Sequence, residues 1–82
     1  MTRLRDRMRE DLELRGAQPS TVSAYLRCVQ KFAEHFNRSP AAMGETEVRE
    51  FMLHLVRQRR VHPATTNVYG AAIKFLYQVT LR

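Results

Sequence analysis

The chain has 82 residues, 44% hydrophobic and 27% charged, and its 14 lysines and arginines against 8 acids give a formal net charge of +6, with a pI near 10.5. That is one domain's length, with an economical core that buries only about 60–65% of the unfolded surface, and the cationic balance favours a polyanionic partner. No apolar run approaches the ~20 residues that span a bilayer, and Met1-Thr2-Arg3-Leu4-Arg5 lacks the apolar segment of a signal peptide.

The first predicted helix covers about residues 3–15, with Leu4, Met8 and Leu12 on one face and Asp11 spaced to pair with Arg15. Arg15-Gly16 reads as a basic last turn followed by a C-terminal glycine. The second helix, about 19–37, carries an apolar stripe of Val22, Tyr25, Val29, Phe32 and Phe36. Asn37-Arg38-Ser39-Pro40 ends it, since proline disfavours a helical residue before it.

The third helix, about 46–60, is expected to start with Thr46 as its cap. Arg49 then stands where a capping box would need a glutamate, while Glu47 and Glu50 suit a helix N-terminus. Its stripe is Val48, Phe51, Met52 and Leu55. The fourth helix, about 63–80, opens on Pro63, whose missing N–H is not needed at the first position. Its stripe is Tyr69, Ala72, Ile73, Leu76 and Thr80, and Gly70 beside two alanines reads as a close helix–helix approach. No segment alternates with period two, so the fold is expected to be all-α, four helices in one domain.

Two of these helices open on the same phrase. Pro19-Ser20-Thr21-x-x-x-Tyr25 recurs as Pro63-Ala64-Thr65-x-x-x-Tyr69, and Val29 and Phe32 are answered by Ile73 and Leu76 at the same offsets. The charge is uneven in a related way. Residues 1–15 set five arginines against four acids, and 39–52 are net acidic. The cationic excess lies in 16–38 (Arg27, Lys31, Arg38), 53–62 (Arg57, Arg59, Arg60) and 63–82 (Lys74, Arg82).

The run Gly16-Ala17-Gln18-Pro19-Ser20-Thr21-Val22-Ser23-Ala24-Tyr25, with Val29 and Phe32 after it, resembles the start of the core-binding domain of tyrosine recombinases, the phage-type integrases. That family opens its second helix with a glycine, a short turn, Ser/Pro, Thr and a tyrosine four residues on. It repeats a related phrase before a helix that ends in an apolar-aromatic pair. Here the second phrase is His62-Pro63-Ala64-Thr65-Thr66-Asn67, and the pair lies in Phe75-Leu76-Tyr77. The resemblance runs from about residue 4 to residue 78. The chain departs from the pattern at Gln18 and His62, where serine is usual, which predicts poorer caps or relief from Ser20 and neighbouring hydroxyls. It departs again at Gly70, where a bulky apolar residue is usual.

The resemblance implies an all-α, four-helix SAM-like core-binding domain, an orthogonal helical bundle, spanning 1–82 with the catalytic domain absent. It implies one half of a clamp on double-stranded DNA, with two helices presenting their N-terminal turns to the major groove and flanking phosphates. It allows other recombinase protomers on the DNA as further partners.

The residues themselves lead to a similar surface. With its stripe inward, the second helix exposes Ser20, Ser23, Ala24, Arg27 and Lys31, and the fourth exposes Thr66, Asn67, Lys74 and Gln78. Helix N-terminal N–H groups attract phosphate. Arg27, Lys31, Arg59, Arg60 and Lys74 suit phosphates, while Asn67 suits an adenine edge. Thr21 and Thr65 complete the set, their hydroxyls expected to serve local backbone groups first. Tyr25 and Tyr69 are expected in the core with their hydroxyls at the rim.

Catalytic and metal residues are expected to be none. His54-Leu55-Val56-Arg57 spells the His-x-x-Arg box of the family's catalytic domain, with Tyr77 downstream, but it falls inside an amphipathic helix in a chain too short for the remaining groups. Three histidines and the single Cys28 give no metal-ligand spacing. Cys28 cannot form an internal disulfide and is expected on the buried side of its helix. No cofactor, membrane or small-molecule partner is expected, and the location is expected to be cytoplasmic, on the nucleoid when bound to DNA. The rival readings are a helix-turn-helix regulator, opposed by about nine residues between the second and third helices, and a basic helical module that binds an acidic protein.

Overall fold

The computed structural model describes residues 2–81. It contains four α-helices: α1 Thr2–Leu14, α2 Pro19–Phe36, α3 Glu45–Arg57 and α4 Pro63–Phe75. A short 3-10 turn, Pro40–Ala42, precedes α3, and α4 continues as a π-turn over Leu76–Thr80. The described residues contain no strand. The expected helices are all present: α2 and α4 start where expected, the ends of α1, α3 and α2 shift by one to three residues, and α4 gives way to the π-turn five residues before its expected end. Arg82, counted among the cationic residues, lies outside the described residues.

Local chemistry fixes the helix ends. Gly16 has φ +79°, and behind it the Gly16 N–H donates to Glu13 and the Ala17 N–H to Leu12, a Schellman stop for α1. Asn37 does the same for α2 at φ +51°, with its own N–H on Glu34 and that of Arg38 on Ala33. Asparagine in the left-handed region is therefore what ends α2, one turn before the proline can act. The α3–α4 connection turns at Arg60, a non-glycine residue at φ +50°.

Two expectations about starts and pairs are overturned. The cap of α3 is Gly44, not Thr46, and Glu47 occupies the third helical position, where its Oε1 accepts from the Gly44 N–H at 2.8 Å. Glycine has no side chain to return the bond, so only the glutamate half of the capping box exists. Asp11 does not pair with Arg15. Its Oδ2 accepts from the hydroxyl of Thr80, 2.9 Å away, while the Arg15 guanidinium lies 5.6 Å from the centre of the Phe75 ring. Gly70 does face α3, but a Cβ there would meet the Met52 methyl at 3.6 Å, an ordinary contact, so the approach does not require glycine.

α2 is the central element. Its buried residues include Leu26 and Ala33 besides the predicted Val22, Cys28, Val29 and Phe32, because α1, α3 and α4 all pack on it. One apolar cluster joins Met8 and Leu12 of α1 to Val22, Leu26 and Val29 of α2 and to Ala72 and Leu76. A second gathers Phe32, Met43, Phe51, Leu55 and Ile73. Phe32, fully buried, meets Phe36, Phe51 and Tyr77 edge-on, with ring centroids 5.8, 5.4 and 6.4 Å away.

α4 lies across α2. Tyr69 sits near Cys28 on one flank, and on the other Leu76 reaches the side of Leu26 and Met8. There the C-terminal turn is fastened to α1: beside the Asp11–Thr80 bond, Arg7 donates to the Thr80 carbonyl at 2.8 Å. The first two turns of α4 therefore stand on the face of α2 opposite α1.

Candidate nucleic-acid interface

The segments of α2 and α4 that meet there carry no acid. Residues 15–33 and 51–82 contain no aspartate or glutamate, and all eight acids fall on α1 or in residues 34–50. Among the described residues the one ion pair is Arg38–Glu47, at 3.8 Å and away from this face. Arg27, Lys31, Arg59, Arg60 and Lys74 are exposed, and none makes a side-chain hydrogen bond or ion pair within the described residues. Cations left without internal partners are available to an external anion.

Tyr69 marks where two of these charges converge. Burial pushes its phenol above the ordinary value near 10 and the Cys28 thiol adds to that, while Arg59 and Arg27 pull it back. Both guanidinium groups are therefore within electrostatic reach of one half-buried hydroxyl. Cys28 is buried, which raises its own thiol above its usual range against a smaller pull from Arg27. This matches an inert core thiol.

Around Cys28, helical spacing places Thr21, Ala24 and Lys31 on the same flank of α2, with Arg27 next to it. Thr21 and Ala24 are half-buried and Lys31 is exposed. Ser20 is exposed in the first turn. Ser23 shares a stripe with Gln30, whose side-chain oxygen accepts from Arg5 of α1 at 3.3 Å, so it lies toward α1 and away from the rest. On α4, Thr65 and Thr66 lie one turn before Tyr69. Lys74 lines a groove with Glu45, Val48 and Gly70, on the flank of α4 that faces α3, and Asn67 shares that stripe. Of the twelve predicted positions, Thr21, Ala24, Arg27, Lys31, Arg59, Thr65 and Thr66 thus lie toward Cys28 and Tyr69, Asn67 and Lys74 on the far flank of α4, and Ser23 apart, while Ser20 and Arg60 are exposed at a helix start and a connection.

The two helix starts differ in what they leave open. At α2 no side chain caps the N-terminus, and the first backbone bond runs from the Val22 N–H to Gln18. Pro19 has no N–H, so those of Ser20 and Thr21 remain free, and no neighbouring hydroxyl takes the place of a cap. At α4 the expectation of a poor cap is overturned. The His62 Nδ1 accepts from the Ala64 N–H at 3.1 Å, and Thr66 bonds back to the His62 carbonyl through both its N–H and its hydroxyl. Only the Thr65 N–H stays open there. Neither Thr21 nor Thr65 makes a side-chain hydrogen bond among the described residues, so the local bonding expected of their hydroxyls falls to Thr66 instead.

The His-x-x-Arg sequence of α3 is spent on packing. His54 is half-buried and its ring lies 4.5 Å from His35 and 6.5 Å from Phe51. Tyr77 donates its hydroxyl to the Pro40 carbonyl at 2.7 Å. No group of three or more His, Cys, Asp or Glu side chains among the described residues is arranged to hold a metal ion. No helix is long and apolar enough to cross a membrane.

Three helices around a central one, with unpartnered cations on segments that carry no acid, define a small all-α SAM-like module. The chain belongs to the phage integrase family as its N-terminal SAM-like domain, whose family model matches residues 4–82. It is 36% identical over 81 residues to a Sinorhizobium fredii protein named "Putative integrase/recombinase y4qK", an alignment covering 99% of this chain. The chain spans 26% of that relative's length. No solved structure gives a significant match.

Proposed function

We propose that this chain is the DNA-gripping module of a tyrosine recombinase. It holds duplex DNA at a recombination site through the N-terminal turns and basic faces of α2 and α4, and performs no catalysis alone. The observation that carries this reading is the set of unpartnered cations, Arg27, Lys31, Arg59 and Arg60, on segments that carry no acid. Unpaired like charges repel one another, and phosphates spaced along a duplex relieve that repulsion while releasing counterions.

In this reading the free N–H groups of Ser20, Thr21 and Thr65 take phosphate oxygens, with the hydroxyls of Ser20, Thr21, Ser23, Thr65 and Thr66 in support. Arg27, Lys31, Arg59, Arg60 and Lys74 contact the backbone, Ala24 lets α2 approach closely, and Asn67 takes an adenine edge. Cutting and rejoining fall to a separate catalytic domain, and other protomers are met on the DNA. A tight helix-turn-helix is disfavoured, since residues 37–44 and a 3-10 turn separate α2 from α3.

Fluorescence anisotropy with a labelled random duplex tests the reading across a salt series. The expected result is weak binding at low ionic strength, with log K falling linearly in log salt by about 0.9 per phosphate contacted. Arg27→Glu with Lys31→Glu should abolish binding while far-UV circular dichroism stays unchanged. Undiminished affinity in the double variant would refute the assignment of the face.

A further inference from the structure

Among the exposed large hydrophobic side chains, one stands on the proposed DNA face. Val68, in the second turn of α4, is 39% exposed. It lies seven residues before Phe75, two helical turns along the same stripe, and Phe75 meets Tyr25 of α2 at 6.5 Å. Val68 therefore faces the N-terminal half of α2, in the corner between α4 and the Thr21–Ala24 flank. Its neighbours on the helix surface, Ala64 and Ala71, are small and exposed, and Ala24 is half-exposed across the corner. A flat edge can reach the isopropyl group without meeting a longer side chain first.

A surface that only collects phosphates has no use for an apolar group in its middle. A protein partner would suit an apolar patch, but Arg27 and Arg59 lie within electrostatic reach of Tyr69, the next residue, Arg15 stands over Phe75 two turns along the stripe, and residues 51–82 hold no acid. That charge pattern matches phosphates on either side of a groove. The major groove offers one apolar feature, the 5-methyl group of thymine.

We propose that Val68 reads thymine, its isopropyl group packing on a 5-methyl group in the major groove. This rests on the proposed DNA grip and adds a base-specific contact to it. The site would thus contain an A·T pair set by apolar contact, at a position that no cation on this face can specify.

The test starts with selection of bound duplexes from a random library by the full chain at low salt. Each thymine of the enriched duplex is then replaced in turn by uracil, which lacks only the methyl group. One replacement should weaken wild-type binding roughly fourfold, the worth of one buried methyl. The Val68→Ala chain should bind the thymine duplex about that much more weakly and be indifferent to the same replacement. If Val68→Ala keeps the wild-type preference, if no uracil replacement matters, or if no sequence is enriched, the proposal is overturned while general DNA binding stands. If the chain binds no duplex at low salt, the grip fails and this contact with it.

Discussion

Gly70→Ala separates two accounts of how α3 meets α4. Glycine inside a helix costs about 1 kcal/mol relative to alanine, because its backbone loses more freedom on folding. The price is worth paying only where a methyl group would collide. At Gly70 a Cβ would stand 3.6 Å from the Met52 methyl, a favourable distance with a flexible side chain as the neighbour. Each such carbon pair adds about 0.1–0.2 kcal/mol of attraction and no strain. The substitution should therefore stabilise the domain by about 0.5–1 kcal/mol. For a domain of this size that is a rise in Tm of roughly 2–8 °C. Thermal unfolding followed by far-UV circular dichroism reads it, and urea unfolding at unchanged slope provides a second measure. A fall in Tm would mean that α3 and α4 meet more closely than 3.6 Å and that glycine is required there after all.

Two further outcomes follow from the ends of the helices. Thr80→Val removes the donor to Asp11 from a fully buried position and should cost about 1–2 kcal/mol. Combined with Asp11→Ala it should cost clearly less than the sum of the two single changes, and strict additivity would show that the bond is not made in solution. Glu47 is held below its ordinary carboxyl value of 4.5, chiefly by its bond from the Gly44 N–H. A depressed folded-state value gives stability that is present above pH 4.5 and is lost as pH falls through the lower folded value. The Tm gap between wild type and Glu47→Ala should accordingly shrink in acid, and a gap that is flat from pH 7 to pH 3 would contradict this.

Much of the architecture could be read before any coordinates, because helix starts and apolar periods are local properties. Pro19 and Pro63 begin α2 and α4 as expected, and the stripes of α3 and α4 are the residues that are buried or half-buried. The errors concern residues whose partners lie far along the chain. Asp11 was spaced for Arg15, yet an exposed i,i+4 pair contributes only a few tenths of a kcal/mol, and Thr80 brought by the fold is the better partner. Leu26 and Ala33 fell off the predicted stripe because α2 is covered on three sides, which widens its buried arc. The start of α3 shows a weakness of cap rules. Thr46 has the favoured side chain, but Glu47 finds an N–H to accept only if Gly44 is the cap.

The candidate interface divides in the same way. Its charge was legible, since the absence of acids from residues 51–82 is plain in the sequence. Which positions share a flank was not, because that depends on the angle at which α4 crosses α2. Lys74 and Arg27 look equivalent in the sequence, yet Lys74 lines a groove beside Glu45 and Arg27 lies near Tyr69. Imidazole capping at His62 was also missed, for histidine is not a usual cap and its Nδ1 accepts only when the proton sits on Nε2.

The fastening of Thr80 to α1 has a kinetic side. Its bonds join residues 69 and 73 positions apart, nearly the full length of the described chain. α1 must therefore wait until residue 80 has been made before its half-buried carboxylate and its arginine find their partners. Closing so wide a loop is slow relative to helix formation, so α1 should dock late and separate early. Hydrogen exchange would then show α1 and the C-terminal turn opening together as one unit, while α2, α3 and α4 stay closed.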